Sequence, residues 1–274
     1  MAKILKIGIV GCGAIGSSLA EIIAKDFSKK AKLTALYDID QAKSAKLSSL
    51  VSGSSRLKVK GLVSLINKTD LVIEASSAKC SADIAKSVLG KGRSIIVMSV
   101  GGLLDDFRQL YDLAQRHNAR LYIPSGAIAG MDALKALNCS RINSVTLTTK
   151  KPPKAFQGVP YVAEKKIALD NLKDEKVIFE GNCFAAIKAF PQNINVAATL
   201  SIAGIGPRRT RVRIIASPKI TKNIHEVRIE SEAGSVVTCT RNVIHPNNPK
   251  TSYLAVLSAV AALKNILEPV RAGA

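Results

Sequence analysis

The stretch Lys6-Ile7-Gly8-Ile9-Val10-Gly11-Cys12-Gly13-Ala14-Ile15-Gly16 leaves the chain few folds to choose from. Its Ile/Val run has the composition of a buried strand, and beyond it Ile15, Leu19, Ile22 and Ile23 recur at the spacing of one helical face. A Gly-x-Gly-x-x-Gly turn therefore sits where a strand hands over to a helix. In a chain with 18 glycines the spacing alone is weak; the strand before it and the helix after it make it informative.

Each glycine then has a physical role. Gly11 permits the tight turn, Gly13 leaves room for a pyrophosphate to approach the backbone, and Gly16 lets the helix pack close to the strand. The N–H groups at the helix start, around Ala14 and Ile15, are free to hold the phosphates at the positive end of the dipole. Leu33-Thr34-Ala35-Leu36-Tyr37 reads as the next strand and ends in Asp38, which is 38 − 16 = 22 residues past the last glycine. A carboxylate there accepts hydrogen bonds from the adenosine ribose and repels a 2′-phosphate, which favours NAD over NADP, although nearby Lys43 leaves NADP open. The alternative is a ligand-free strand–turn–helix in which Asp38 is a turn residue.

The alternation continues along the chain. Residues 40–50 read as a helix, 56–60 as a short strand, 71–75 as a buried strand, 81–89 as a helix, 94–98 as another buried strand, 104–118 as an amphipathic helix and 120–123 as a strand. This predicts an α/β fold, a Rossmann-type doubly wound parallel sheet covered on both faces. Ligands of such sheets bind beyond the carboxyl ends of the strands. Those ends hold the glycine turn, Asp38, Ala75-Ser76-Ser77, Ser99-Val100-Gly101-Gly102 and Pro124-Ser125-Gly126-Ala127, mostly small residues suited to close contact with a flat cofactor. Ala75, Ser76 and Ser99 join the candidate cofactor contacts.

Past Gly130 the pattern changes. Residues 131–137 read as a connecting helix, 142–149 as a half-buried strand, Lys150-Lys151-Pro152-Pro153-Lys154 as a bend and loop, 177–180 as a strand, and 182–205 as largely helical with a break near Pro191. Strand candidates follow at 211–216, 225–230 and 235–240. Such a pattern predicts an α+β substrate domain with an open mixed or antiparallel sheet. Residues 252–267 carry Leu254, Leu257, Val260, Ala261 and Leu263 at helical spacing, after a crossing at Pro246-Asn247-Asn248-Pro249. A domain inserted near the end of a nucleotide fold commonly leaves one last helix to complete it. The expected division is therefore a dinucleotide-binding domain, 1–130 with 246–274, and a catalytic and dimerisation domain, 131–245.

Composition narrows the function classes. A length of 274 residues with 47% hydrophobic content suffices for these two domains. No apolar run approaches the ~20 residues of a membrane span, and the first strand begins at once, so neither a membrane partner nor a signal peptide is expected. The five cysteines, 12, 80, 139, 183 and 239, are odd in number and scattered. They form neither a metal cluster nor a disulfide framework, as suits a reducing cytoplasm. A formal net charge of +20 is a value that nucleic-acid binders often show. Here the cations are spread along the chain, aromatic residues make up only 4%, and no nucleic-acid motif occurs. The charge reads instead as a basic surface that draws anionic substrates, with a basic non-catalytic binding protein as the rival reading.

A dinucleotide domain joined to an open-sheet domain points to a dehydrogenase, which needs a proton acceptor at its substrate. The chain has three histidines. His117 ends a helix, where a cation suits the dipole, and His245 precedes Pro246 in a loop. His225 shares a strand face with Val227 and Ile229 and is the candidate acid/base, although a satisfied core histidine would present the same pattern. Pro191-Gln192-Asn193-Ile194-Asn195 precedes an apolar helical run, so its amides suit a cofactor ring or a carboxylate, or simply cap the helix.

Four blocks resemble the L-aspartate dehydrogenase family in order and spacing over essentially the whole length. They are Pro124-Ser125-Gly126-Ala127-Ile128-Ala129-Gly130-Met131-Asp132, Phe190-Pro191-Gln192-Asn193-Ile194-Asn195-Val196-Ala197, Asn223-Ile224-His225-Glu226 and Asn248-Pro249-Lys250-Thr251-Ser252. The resemblance implies NAD(P)-dependent oxidation of L-aspartate to iminoaspartate, which hydrolyses to oxaloacetate and ammonia or feeds quinolinate and hence NAD synthesis. It further implies that Ala127 and Asn193 contact the cofactor and that His225 is the active-site residue. For the two substrate carboxylates we expect Asn195, Lys250, Thr251 and Ser252, with no metal. The open second sheet makes a homodimer the expected assembly. The rival enzyme has a homoserine-dehydrogenase-like layout, with a lysine–aspartate site in place of His225.

Overall fold

Along β1 (Leu5–Val10) the last four residues are all buried, and a strand covered on both faces belongs inside a parallel sheet. The computed structural model, which describes residues 4–191, 195–246 and 248–272, places it there. There follow α1 (Ala14–Asp26), β2 (Ala31–Tyr37), α2 (Gln41–Ser52), α3 (Leu62–Asn67), β3 (Leu71–Glu74), α4 (Ser81–Leu89), β4 (Ser94–Val97), α5 (Phe107–Arg116) and β5 (Leu121–Tyr122). The strands lie in the order β2-β1-β3-β4-β5, every pair parallel. The chain reverses its direction of travel between β1 and β3, so the crevice beyond those two strand ends is the topological switch point. The strand expected at 56–60 is instead a one-turn 3-10 helix, Ser55–Leu57, followed by a single bridge from Lys58 to Leu36. Ser55 and Arg56 are exposed, while the apolar Leu57 and Val59 turn inward.

The second sheet is built from longer, half-buried strands. After α6 (Met131–Leu137) come β6 (Ile142–Lys151), α7 (Pro160–Glu164), β7 (Lys176–Asn182), α8 (Cys183–Ala189), α9 (Asn195–Ala203), β8 (Arg211–Ala216), β9 (Asn223–Ser231) and β10 (Gly234–Asn242). Their order is β10-β9-β6-β8-β7; the β6–β8 pair is parallel and its neighbours are antiparallel, giving an open mixed sheet. Lys150 and Lys151, read above as the start of a loop, belong to β6, because β8 and β9 flank Lys150 on both edges and β8 continues alongside Lys151. The ladder stops at Pro152, which has no N–H to donate.

A small hairpin of β11 (Ile244–His245) and β12 (Asn248–Ser252) leads into α10 (Tyr253–Leu267). Val256, Ala259 and Leu263 of α10 join Ile7, Leu19, Ile23, Leu71 and Ile96 in one apolar core. The helix packs back on the first unit as expected, and Val260 and Leu263 of the expected stripe lie on its core, but Leu254 and Leu257 are exposed. The helix is apolar nearly all round, and its stripe cannot be read from spacing. The chain forms two units, Met1–Pro124 with Val256–Arg271 and Ser125–Ala255, where boundaries after residues 130 and 245 were expected. The first junction comes earlier because Thr240 Oγ1 and Thr238 Oγ1 of β10 donate to the Ala127 and Ala129 carbonyls, at 2.8 and 3.1 Å, tying that segment to the second sheet.

Candidate active site

In the first unit the three glycines of the turn separate into two kinds. Gly11 has φ +92°, and a Cβ on it would run into the Ala75 carbonyl at the end of β3. On Gly16 a Cβ would strike the Gly11 carbonyl. These two are required by the chain's own packing. A Cβ on Gly13 would meet nothing within 4 Å, so nothing described inside the protein explains a glycine there. Gly13 is also the N-cap of α1, with no side-chain cap and no acid in the first turn. The first helical N–H groups, at Ala14, Ile15 and Gly16, lie within the four that an α-helix leaves without intrahelical partners. An open cradle beside uncapped donors fits the pyrophosphate of a dinucleotide.

Asp38 stands at the rim of that cradle. Its Oδ2 accepts from the Cys12 N–H at 2.7 Å and its Oδ1 from the Asp40 N–H at 2.9 Å. Each oxygen keeps acceptor capacity for a ribose hydroxyl. Burial, and then the Asp38 charge, push the Cys12 thiol up to about 12, so it is a filler in the turn and not a nucleophile. Lys43, the residue that left NADP open, lies 3.8 Å from the Asp40 carboxylate.

Glu74 was missed by sequence reasoning, which saw it only as one residue of the strand 71–75. It is fully buried, at 0% exposure. Its carboxylate accepts from Ser76 N (2.8 Å), Ser76 Oγ (2.7 Å) and Ser99 N (3.0 Å). One buried anion therefore fastens the loops after β3 and β4 to each other. Ser76 and Ser99, expected as cofactor contacts, turn these groups inward to Glu74. Ala75, between Glu74 and Ser76, has its carbonyl against Gly11.

In the second unit, His225 is 5% exposed on β9. Thr149 of β6 and Thr240 of β10 are its cross-strand neighbours. Its Nδ1 lies 3.0 Å from Thr149 Oγ1. Burial first, and then the charge of Lys151, lower its pKa from 6.5 to about 3, so the imidazole is neutral at working pH. Lys151 is 7% exposed, and burial brings its own pKa down to about 8. It lines a cavity of about 340 Å³ together with Thr221, Asn223, Phe190 and Pro191. Phe190 is held in that wall by ring contacts with Phe156, Phe179 and Tyr161 at 6.1, 5.7 and 5.3 Å.

The remaining candidates are distributed as follows. Ala127 is buried, and its carbonyl accepts from both Thr240 Oγ1 and Asn242 Nδ2 (3.0 Å). Asn195 opens α9 and is exposed. Ser252 is buried and pairs with Ile244 across the hairpin. Asn193 lies outside the described residues, as do the side chains of Lys250 and Thr251. His117 ends α5, and His245 packs its ring edge-on to Tyr253 at 5.4 Å. Among the described residues no group of three His, Cys, Asp or Glu side chains is placed to hold a metal ion, and no helix is long and apolar enough to cross a membrane.

Two known families match the chain in turn, the second running on through most of α10, which packs in the first unit. Residues 11–124 match the family described as homoserine dehydrogenase, NAD binding domain, and residues 132–266 match aspartate dehydrogenase, C-terminal. An L-aspartate dehydrogenase of Methanosarcina mazei is 45% identical over 271 residues, covering 98% of this chain and 99% of that one. The crystal structure of an aspartate dehydrogenase from Thermotoga maritima aligns with a TM-score of 0.74 at 26% identity, over 98% of this chain and 100% of that one. A homoserine dehydrogenase from Thiobacillus denitrificans, 13% identical with a TM-score of 0.63 over 97% of this chain and 73% of its own, shares the fold. The two-unit architecture, the dinucleotide cradle and the buried histidine are thus those of a chain that belongs to the L-aspartate dehydrogenase family.

Proposed function

We propose that this protein oxidises L-aspartate with NAD(P) to iminoaspartate, releasing NAD(P)H and a proton, and that the imine then hydrolyses to oxaloacetate and ammonia. The observation that carries the chemistry is a neutral, buried imidazole at His225, oriented by Thr149. The family that the chain belongs to supplies the substrate.

A nicotinamide held by the first unit supplies the acceptor for the hydride that leaves Cα. Gly11, Gly13, Ala14, Ile15 and Gly16 hold the pyrophosphate, Asp38 the adenosine ribose, and Ala75, Ser76 and Ser99 shape the crevice. Ala127 and Asn193 complete the cofactor contacts. Asp38 makes NAD the preferred form.

Hydride loss needs the lone pair of the substrate nitrogen, so the α-ammonium must first give up a proton. In the tautomer whose Nδ1–H donates to Thr149 Oγ1, His225 offers the Nε2 lone pair to receive that proton; once it has released the proton to solvent, the same atom deprotonates the water that adds to the imine. Asn195, Lys250, Thr251 and Ser252 serve the carboxylates. The enzyme works as a cytoplasmic homodimer whose product feeds pyridine nucleotide synthesis. His225→Ala should lower turnover by about 10²–10⁴-fold, the usual worth of a positioned acid/base, while NAD affinity stays intact. Near-normal turnover in that variant would remove His225 from the mechanism.

A further inference from the structure

We infer that Lys151 receives a carboxylate of the substrate beside His225, and that neutralisation of its charge by this carboxylate readies His225 as the base. The inference rests on the aspartate reading above and adds to it a residue and a regulatory step.

Three observations converge. The first is placement: Lys151 and Thr149 are two residues apart on β6 and so share a sheet face, and Thr149 holds His225. The β6–β9 ladder ends where Lys150 pairs with Ile224, and the next residue along β9, Asn223, pairs with Asn242. The cross-strand row Thr149–His225–Thr240 thus has Lys151 two residues on along β6 and the Asn223–Asn242 pair two residues away on β9 and β10, all on one face. Secondly, Lys151 and Asn223 line the cavity of about 340 Å³, with His225 one pleat further along β9. The walls supply an ammonium, an amide and the Thr221 hydroxyl opposite the apolar Phe190 and Pro191. That is the mixture a short dicarboxylate with an aliphatic middle requires. Thirdly, Lys151 is only 7% exposed yet lines the cavity, so a carboxylate that enters meets a cation largely withdrawn from bulk water, where a charge-assisted hydrogen bond is strongest.

The electrostatics give the consequence. Thr149 and Lys151 face His225 from β6, Thr240 and Asn242 from β10, and Asn223 from its own strand. Lys150, Glu226 and Arg241 alternate to the other face. Among the described residues Lys151 is the charge that depresses His225. A carboxylate seated on Lys151 cancels that field, so His225 becomes more basic when substrate is present and stays unprotonated when it is absent.

The test compares the full-length wild-type chain with Lys151→Met and Lys151→Arg. In Lys151→Met the KM for L-aspartate should rise by about tenfold or more, as expected for a lost charge-assisted hydrogen bond, with NAD affinity unchanged. The acid limb of kcat/KM should move to higher pH, since the charge that depresses His225 is gone. Lys151→Arg, which keeps the charge, should recover part of the KM. An unchanged KM with an unmoved acid limb in Lys151→Met would overturn the inference while leaving aspartate oxidation standing. Absence of aspartate turnover in the wild-type chain would overturn the parent reading and this inference with it.

Discussion

The Asp38 carboxylate accepts a 2.7 Å hydrogen bond from the Cys12 N–H, so the acid that ends β2 is pinned to the glycine turn that follows β1. It is held in place before any ligand arrives. Asp38→Ala should weaken NAD binding by about tenfold or more, from loss of hydrogen bonds to a charged acceptor, and should narrow the gap to NADP by removing the repulsion of a 2′-phosphate. Fluorescence titration with both reduced cofactors measures this, and an unchanged NAD/NADP ratio would contradict the role.

Gly13 and Gly16 should respond oppositely to the same substitution. Gly16→Ala places a methyl against the Gly11 carbonyl and should lower the thermal midpoint of the apoprotein. Gly13→Ala points its methyl into open space, so the apoprotein should melt normally but bind dinucleotide poorly. A normal cofactor affinity in Gly13→Ala would show that the pyrophosphate does not approach there.

Glu74→Gln sets an amide NH₂ among groups that already donate, the Ser76 N–H and hydroxyl and the Ser99 N–H. Loss of charge-assisted bonds at a fully buried site should cost about 2 kcal/mol or more, read by denaturant unfolding. Cofactor affinity should fall as well, because the loops after β3 and β4 lose their common anchor.

Burial of His225 makes acid destabilising. An unfolded His225 takes a proton near pH 6.5, whereas the folded one refuses it until about 3. Between those values the unfolded chain binds more protons, so stability falls as pH falls, by at most about 1.4 kcal/mol per pH unit for this one group. His225→Gln should flatten the acid limb of a stability–pH curve relative to wild type. Lys151 acts in the same sense at alkaline pH: with a folded pKa of about 8 against 10.5, it makes stability rise across that interval, and Lys151→Met should abolish the rise.

Much of this site is legible in the residues themselves. Gly11, Gly16 and Asp38 stand at the ends of strands whose buried runs are unmistakable, and His225 declares its face by alternation with Val227 and Ile229. Glu74 is not legible, because its partner at Ser99 is 25 residues away and nothing local distinguishes a fastening carboxylate from a strand-end acid. Thr149 is 76 residues from His225, and only the register of β6 on β9 brings them together. Lys151 hides behind Pro152 and Pro153: local propensity reads a breaker, while pairing with Ala216 of β8 carries the strand up to Lys151. The buried stripe of α10 is likewise decided by tertiary packing, since a helix with only Ser258, Lys264 and Asn265 as non-aromatic polar residues has no polar side to orient it.

The most direct test is reduced-nicotinamide absorbance with L-aspartate and NAD, run beside L-homoserine and the His225→Ala variant. Aspartate-dependent reduction of NAD by the wild-type chain, its near-loss in His225→Ala with cofactor binding retained, and no response to homoserine are the expected results. Oxidation of homoserine with no response to aspartate, or aspartate turnover that survives loss of His225, would contradict the proposed chemistry.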